Sequence, residues 1–77
     1  MKLLIVDWYD TESKPEWTEK DDTKKWGNKY CEIRSVGFLI DDNKKCLVLC
    51  AMYNDNDFGD IHKIPKGCIK KIKHIKY

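Results

Sequence analysis

The stretch from Ser35 to Ile75 constrains the fold more than any other part of the chain. It reads as a strand, a tight turn, a second strand, a short third strand, and then Ile64-Pro65-Lys66-Gly67-Cys68-Ile69 leading into a last strand. Gly37 interrupts the first of these runs, and a glycine inside a strand marks a bend or a close backbone approach that lets a small sheet curl. Asp41-Asp42-Asn43-Lys44 is turn chemistry, and Cys46 to Tyr53 is a nearly unbroken apolar run of central-strand length. Pro65 removes a backbone donor where the chain must turn, and Lys66-Gly67-Cys68 suits one turn of 3₁₀ helix. Ile69, Ile72 and Ile75 also fit a helical stripe, so periodicity leaves the last segment open. Topology assigns it as the strand that closes the sheet. These segments, with Leu3-Leu4-Ile5-Val6-Asp7-Trp8 as a first strand, predict a mainly β, five-stranded small barrel occupying residues 1–77 as one domain.

At 77 residues such a domain buries only roughly 60–65% of the surface of its unfolded chain, so disulfides, metal and oligomerisation each need weighing. The four cysteines lie in strand-like contexts, and Asp7 interrupts the initial apolar run before a secretory core of normal length has formed. The expected compartment is a reducing cytosol, with the cysteines serving as small hydrophobes. No apolar run approaches the roughly 20 residues that span a bilayer. No membrane association is expected.

Between Tyr9 and Asn28 the chain turns polar and charged, with Trp17 and Trp26 as the residues expected to pin a loop of about 20 residues. Loops of that length in a compact domain are commonly functional. A short helix between Thr18 and Lys25 fits, with Thr18 as cap and Asp21-Asp22 complementing the helix dipole. Charge is segregated along the chain: residues 1–60 carry nine basic and thirteen acidic side chains, whereas residues 61–77 carry six lysines and no acid. A basic end of this kind either attracts phosphate, nucleic acid or an acidic protein surface, or keeps an edge strand soluble and unpaired.

Specific chemistry is sparse. Cys46 and Cys50 on one strand are about 13 Å apart by strand rise, too far for one zinc ion to bridge, and no Cys-x-x-Cys knuckle exists. In Asn54 to Asp60 the glycine comes late and no closing glutamate follows, so a calcium loop is not expected. His62 and His74 are the only imidazoles available as a base for a cysteine nucleophile. No catalytic residue, metal ligand or cofactor is therefore assigned. The aromatic residues mostly complete a thin core, but one or two can line a pocket under the long loop beside cationic groups, as nucleotides and single strands require.

The strand order, long first loop and Ile64-Pro65 turn resemble the Src-homology-3 barrel, and Val6-Asp7-Trp8-Tyr9-Asp10 is similar to that family's first aromatic-acidic motif. The tryptophan and tyrosine of its proline-peptide groove have no counterpart, because Lys45 or Cys46 and Cys68 stand in those places. A broader resemblance, from about Val6 to Ile75, rests on Asp7, Trp17, Ser35-Val36-Gly37-Phe38-Leu39-Ile40, Leu47-Val48-Leu49 and Ile64 to Ile72. These look like a family of small uncharacterised proteins of tailed bacteriophages and related mobile elements. The resemblance carries no established activity and no catalytic residues, and implies a context: a phage accessory protein made in bacterial cytoplasm and too small to be a conventional enzyme, for which host interaction or anti-defence is the expected role.

On this reading the chain is a binding module that takes a host protein or a small anionic, nucleotide-like ligand, as a homo-oligomer. The expected ligand-binding residues are Trp17, Trp26, Arg34, Tyr53, Lys66 and Lys71, with the long loop as a lid. The alternatives are an Sm-like RNA- or DNA-binding protein, using the strip from Lys63 to Lys76, and a protein-interaction inhibitor docking a charged host partner.

Overall fold

The computed structural model describes residues 1–77. Five antiparallel strands form one sheet: β1 (Leu3–Asp10), β2 (Cys31–Asp42), β3 (Cys46–Tyr53), β4 (Phe58–Pro65) and β5 (Ile69–Ile75). A single α-helix, α1 (Lys20–Gly27), lies between β1 and β2, and a 3₁₀ turn (Lys66–Cys68) joins β4 to β5. The order across the sheet is β4-β3-β2-β1-β5, so β4 and β5 are its edges and no ladder joins them. The five strands, the 3₁₀ turn and the bounds of β3 and β5 follow the sequence expectation; the sheet itself is open.

Alternation builds the core. Leu4, Val6 and Trp8 of β1 point to one side of the sheet and are buried, together with Leu47 and Leu49 of β3 and Ile64 of β4. For residues of β1 and β4 to share a core across two intervening strands, the sheet must curl. Trp8 shows the curl directly, because its ring meets the His62 ring of β4 edge-on at 5.3 Å between centroids. The Trp8 indole also donates to Ser35 Oγ on β2 at 3.0 Å. Ile33, Leu39, Cys68 and Ile69 pack around this cluster.

Three local devices produce the curl. Gly37 is buried, and a Cβ on it would stand 3.0 Å from both the Cys50 carbonyl oxygen and Leu49 Cβ, so β2 and β3 approach as only glycine permits. Between Leu39 and Asp41 the β2–β3 register slips, leaving Ile40 as a bulge, and between Asp7 and Trp8 the β1–β5 register slips, leaving Lys70 as another. Bulges bend a strand and increase its twist. Curling stops short of closure. Ile72 and His74 stand opposite Val6 and Leu4 on the core side of β5, yet both remain exposed, Ile72 at 39%.

Both hairpin turns use one asparagine device. Asn43 Oδ1 accepts from the amides of Lys45 and Cys46, each at 2.9 Å, and Asn54 Oδ1 accepts from those of Asn56 and Asp57 at 2.9 and 2.8 Å. An asparagine at the first turn position thus mimics a backbone carbonyl. The first turn falls at Asn43–Cys46, two residues beyond the start of the expected Asp41–Lys44 turn, because β2 continues through Asp42.

Residues 11–29 form an arm, not a lid. The β1–β2 ladder runs to its last pair, Asp10 with Cys31, and the chain leaves from there, rooted by Tyr9 and Tyr30 with ring centroids 4.6 Å apart. The molecule measures 52 × 23 × 22 Å and its radius of gyration is 16.0 Å, whereas a compact chain of this length has about 11–12 Å. α1 buries none of its residues, and its cap is Glu19, which makes no side-chain capping bond. Thr18 instead shares a hydrogen bond with Thr23, whose hydroxyl also donates to the Glu19 carbonyl at 2.8 Å. Asp21 and Asp22 occupy the first turn as expected. No helix is long and apolar enough to cross a membrane.

Candidate functional site

The sheet surface facing away from the core concentrates charge on β2, β1 and β5. Asp7 lies in phase opposite to Leu4, Val6 and Trp8, which places it outside. Arg34 on β2 and Lys71 on β5 are both its direct cross-strand partners. Arg34 grips it with two bonds: Nε donates to Oδ1 at 2.7 Å and Nη2 to Oδ2 at 3.1 Å. Asp7 is partly shielded, at 23% side-chain exposure against 68% for Arg34. The Arg34 bond, and then the positive charges of Arg34, Lys70 and Lys71, hold the Asp7 carboxyl below the usual carboxylate range against the opposing effect of partial desolvation. The same bond and the Asp7 charge raise Arg34 above its ordinary value.

Two pairs further along the ladder, and so on the same face, Glu32 stands opposite Tyr9. The bulge re-aims Lys70 towards this level, where Nζ donates to Glu32 Oε1 at 2.6 Å and lies 6.0 Å from the Tyr9 ring centre. The Glu32 hydrogen bond, followed by its charge, raises the Lys70 pKa. Both acids of this face are thereby engaged by a cation. Lys71 and Lys73 have no ion-pair partner, and with Ile5, Asp7 and Arg34 they line a shallow cleft of about 140 Å³. A second, wider depression of about 400 Å³ adjoins it along Asp7, Glu32, Ile33, Arg34 and Lys70.

The six residues expected to bind ligand do not converge. Arg34 and Lys71 share the cleft. Lys66 lies at the corner after β4, ion-paired to Asp42. Tyr53 ends β3, its ring edge-on to Phe38 at 5.1 Å. Trp26 is half-buried on the arm, with the Lys14 ammonium 5.5 Å from its ring centre, beside a cleft of about 160 Å³ that Glu16, Thr18, Asp22 and Thr23 complete. Trp17 pins nothing, since it is 101% exposed. Too few apolar side chains accompany the two tryptophans to seat the arm on the sheet.

Asp7, Glu32, Lys70 and Lys73 belong to the cleft region but were not among those six. Strand alternation carries a signal for Asp7 and Glu32: each sits one residue out of phase with its strand's buried positions. Nothing local marks Lys70, because the position of a bulge depends on how two strands pair.

All four cysteines are free; Cys50 is buried and the others are half-buried. Burial, with the nearby Glu12 and Asp10 charges, pushes the Cys31 thiol up and keeps it in the unreactive protonated form. His62 is packed on Trp8, and no group of three or more His, Cys, Asp or Glu side chains is gathered as a metal site. No protein family, curated protein or solved structure matches the chain.

Proposed function

We propose that the chain is a non-enzymatic binding module that takes a small, phosphate-bearing anion on the outer face of β2, β1 and β5, in the phage-accessory role that its sequence resemblance implies. The observation that carries this reading is the arrangement around Asp7. Its two cross-strand neighbours are both cationic, and only Arg34 is engaged with it, so Lys71, Lys73 and the unused Arg34 N–H groups remain available to a ligand. Arginine fits planar or tetrahedral oxyanions through its fork of donors, and lysine adds mobile point charge.

The same geometry favours a compact anion over a nucleic-acid track. Asp7 and Glu32 interrupt the row of cations, and the exposed Trp17 and half-buried Trp26 stand on the arm, so no stacking platform lines the cleft. We read the curled sheet with its Pro65 turn as an opened relative of the Src-homology-3/Sm-like barrel, working in the host cytoplasm on a host-derived ligand or partner.

Titration calorimetry with inorganic triphosphate, ATP and a short oligodeoxythymidylate tests the reading. Triphosphate and ATP are expected to bind, to weaken as salt rises from about 50 to about 200 mM because screening weakens their attraction to exposed cations, and to weaken again in Lys71→Ala and Lys73→Ala. Absence of binding by all three probes at low salt refutes the proposal. Binding of the oligonucleotide alone would replace it with the nucleic-acid reading.

A further inference from the structure

We propose that the arm of one copy docks on the cationic β2–β1–β5 face of a second copy, with Trp17 as its apolar anchor; this rests on the same face that is proposed to take the anion. Three observations support it.

The first is that the arm lacks partners of its own. A helix of eight residues lies below the roughly 12–15 residues at which isolated helices become even marginally stable. α1 has no side-chain cap and no buried residue. No ion pair or side-chain hydrogen bond ties residues 11–29 to β3, β4 or β5. An arm of this composition gains order by docking.

The second is its exposed tryptophan. Trp17 leaves its whole ring in water, although tryptophan carries the largest apolar surface of any side chain and is enriched at interfaces.

The third is charge, which selects the occupant. Within the arm, residues 12–22 carry five carboxylates (Glu12, Glu16, Glu19, Asp21 and Asp22) against Lys14 and Lys20, whereas Lys24, Lys25 and Lys29 follow later, so Glu12 to Asp22 is the stretch that meets the face. The facing surface offers Arg34, Lys70, Lys71 and Lys73 against Asp7 and Glu32. Opposite potentials of this kind steer and align partners. The arm leaves beyond the last β1–β2 pair, Asp10 with Cys31, and α1 buries no residue, so the arm does not rest on its own face and a second copy's face is its target. Two reciprocal dockings close a two-fold dimer in which each site comprises one copy's sheet and the other's arm. The arm then competes with the anion for Lys71 and Lys73.

A charge-swap experiment on the full chain tests this. In the arm variant, Glu12, Glu16 and Glu19 become lysine; none of these side chains makes a hydrogen bond. In the face variant, Lys71→Glu and Lys73→Glu are combined. Sedimentation velocity at low salt should show the wild type dimeric, each variant alone monomeric, and an equimolar mixture dimeric again, since both of its arm-face contacts pair opposite charges. Trp17 emission should shift to shorter wavelength only in the dimers. Urea midpoints near the wild-type value check that each variant is folded.

A monomeric wild type, a dimer indifferent to both variants, or a mixture that stays monomeric would each overturn the proposal. The arm variant keeps the intact face, so triphosphate titration on it is a separate readout. Retained or tighter binding there supports the anion reading whatever the dimer result. Lost binding refutes the anion reading while the mixture still decides the docking.

Discussion

Gly37→Ala is expected to lower stability by about 1–2 kcal/mol, and the structure supplies the reasoning. The new Cβ would sit 3.0 Å from Cys50 O, 3.0 Å from Leu49 Cβ and 3.6 Å from the Cys50 carbonyl carbon. Comfortable carbon contacts lie near 3.5–4.0 Å. About half an ångström must therefore be absorbed, and the atoms in the way are backbone and a Cβ, which no rotamer change can move. Overpacking of this kind typically costs about 1–3 kcal/mol. Because neither obstructing group can rotate away, the cost falls in the upper part of that range, about 2–3 kcal/mol, and the unfolded-chain entropy that the substitution removes offsets up to about 1 kcal/mol of it, which leaves about 1–2 kcal/mol.

A 77-residue domain has only about 4–12 kcal/mol in total, and at a urea slope near 1 kcal/mol/M the midpoint should fall by about 1–2 M. Two other glycines calibrate the experiment. Gly67 has nothing within 4 Å of a built Cβ, so Gly67→Ala should hold or raise the midpoint. At Gly59 the nearest atom is Met52 Cγ at 2.6 Å, but that side chain is exposed and flexible, so Gly59→Ala should change stability by less than about 0.5 kcal/mol. A Gly37→Ala midpoint equal to or above wild type, at unchanged slope, refutes the claim that close β2–β3 approach shapes the sheet.

The turn asparagines should each be worth about 1 kcal/mol: urea melts of Asn43→Ala and Asn54→Ala should show similar losses, additive in the double variant because they serve different hairpins. Trp8→Phe is expected to cost about 1–2 kcal/mol by leaving the Ser35 hydroxyl without its indole donor and trimming the edge contact with His62; a neutral result would mean that the indole bond contributes nothing. For pH, the sign follows from Asp7, whose folded carboxyl is held below its ordinary range by Arg34. Its stabilising contribution is complete above about pH 4, the unfolded carboxylate range, and is lost as the pH falls through the lower folded value. Urea midpoints should thus decline more steeply on acidification in wild type than in Asp7→Asn, and identical slopes would dismiss the role of this pair.

Much of the chain's local structure is legible in its residues. Cys46–Tyr53 and Ile69–Ile75 become strands at the expected bounds, Lys66–Cys68 forms the 3₁₀ turn, and Gly37 marks a close approach. β-branched runs, turn asparagines and a proline act within a few residues of themselves, so their consequences can be read locally. The site was only partly legible. Arg34 and Lys71 lie 37 positions apart and become neighbours only because each pairs with Asp7 from opposite sides of β1, and Lys70 enters only through a bulge. The six expected ligand residues are split between arm, cleft, corner and strand end for the same reason: residue type says what a side chain can bind, whereas strand pairing says beside whom it stands.

Five strands, their turns, a polar excursion with a short helix and a basic final strand can all be read from the residues alone. Three features emerge from strand pairing instead: the sheet curls without closing, the excursion projects as an arm, and the cations gather around Asp7. Local propensity and alternation are properties of single segments, but curvature, closure and charge clustering come from inter-strand register, which is set by packing across the whole sheet.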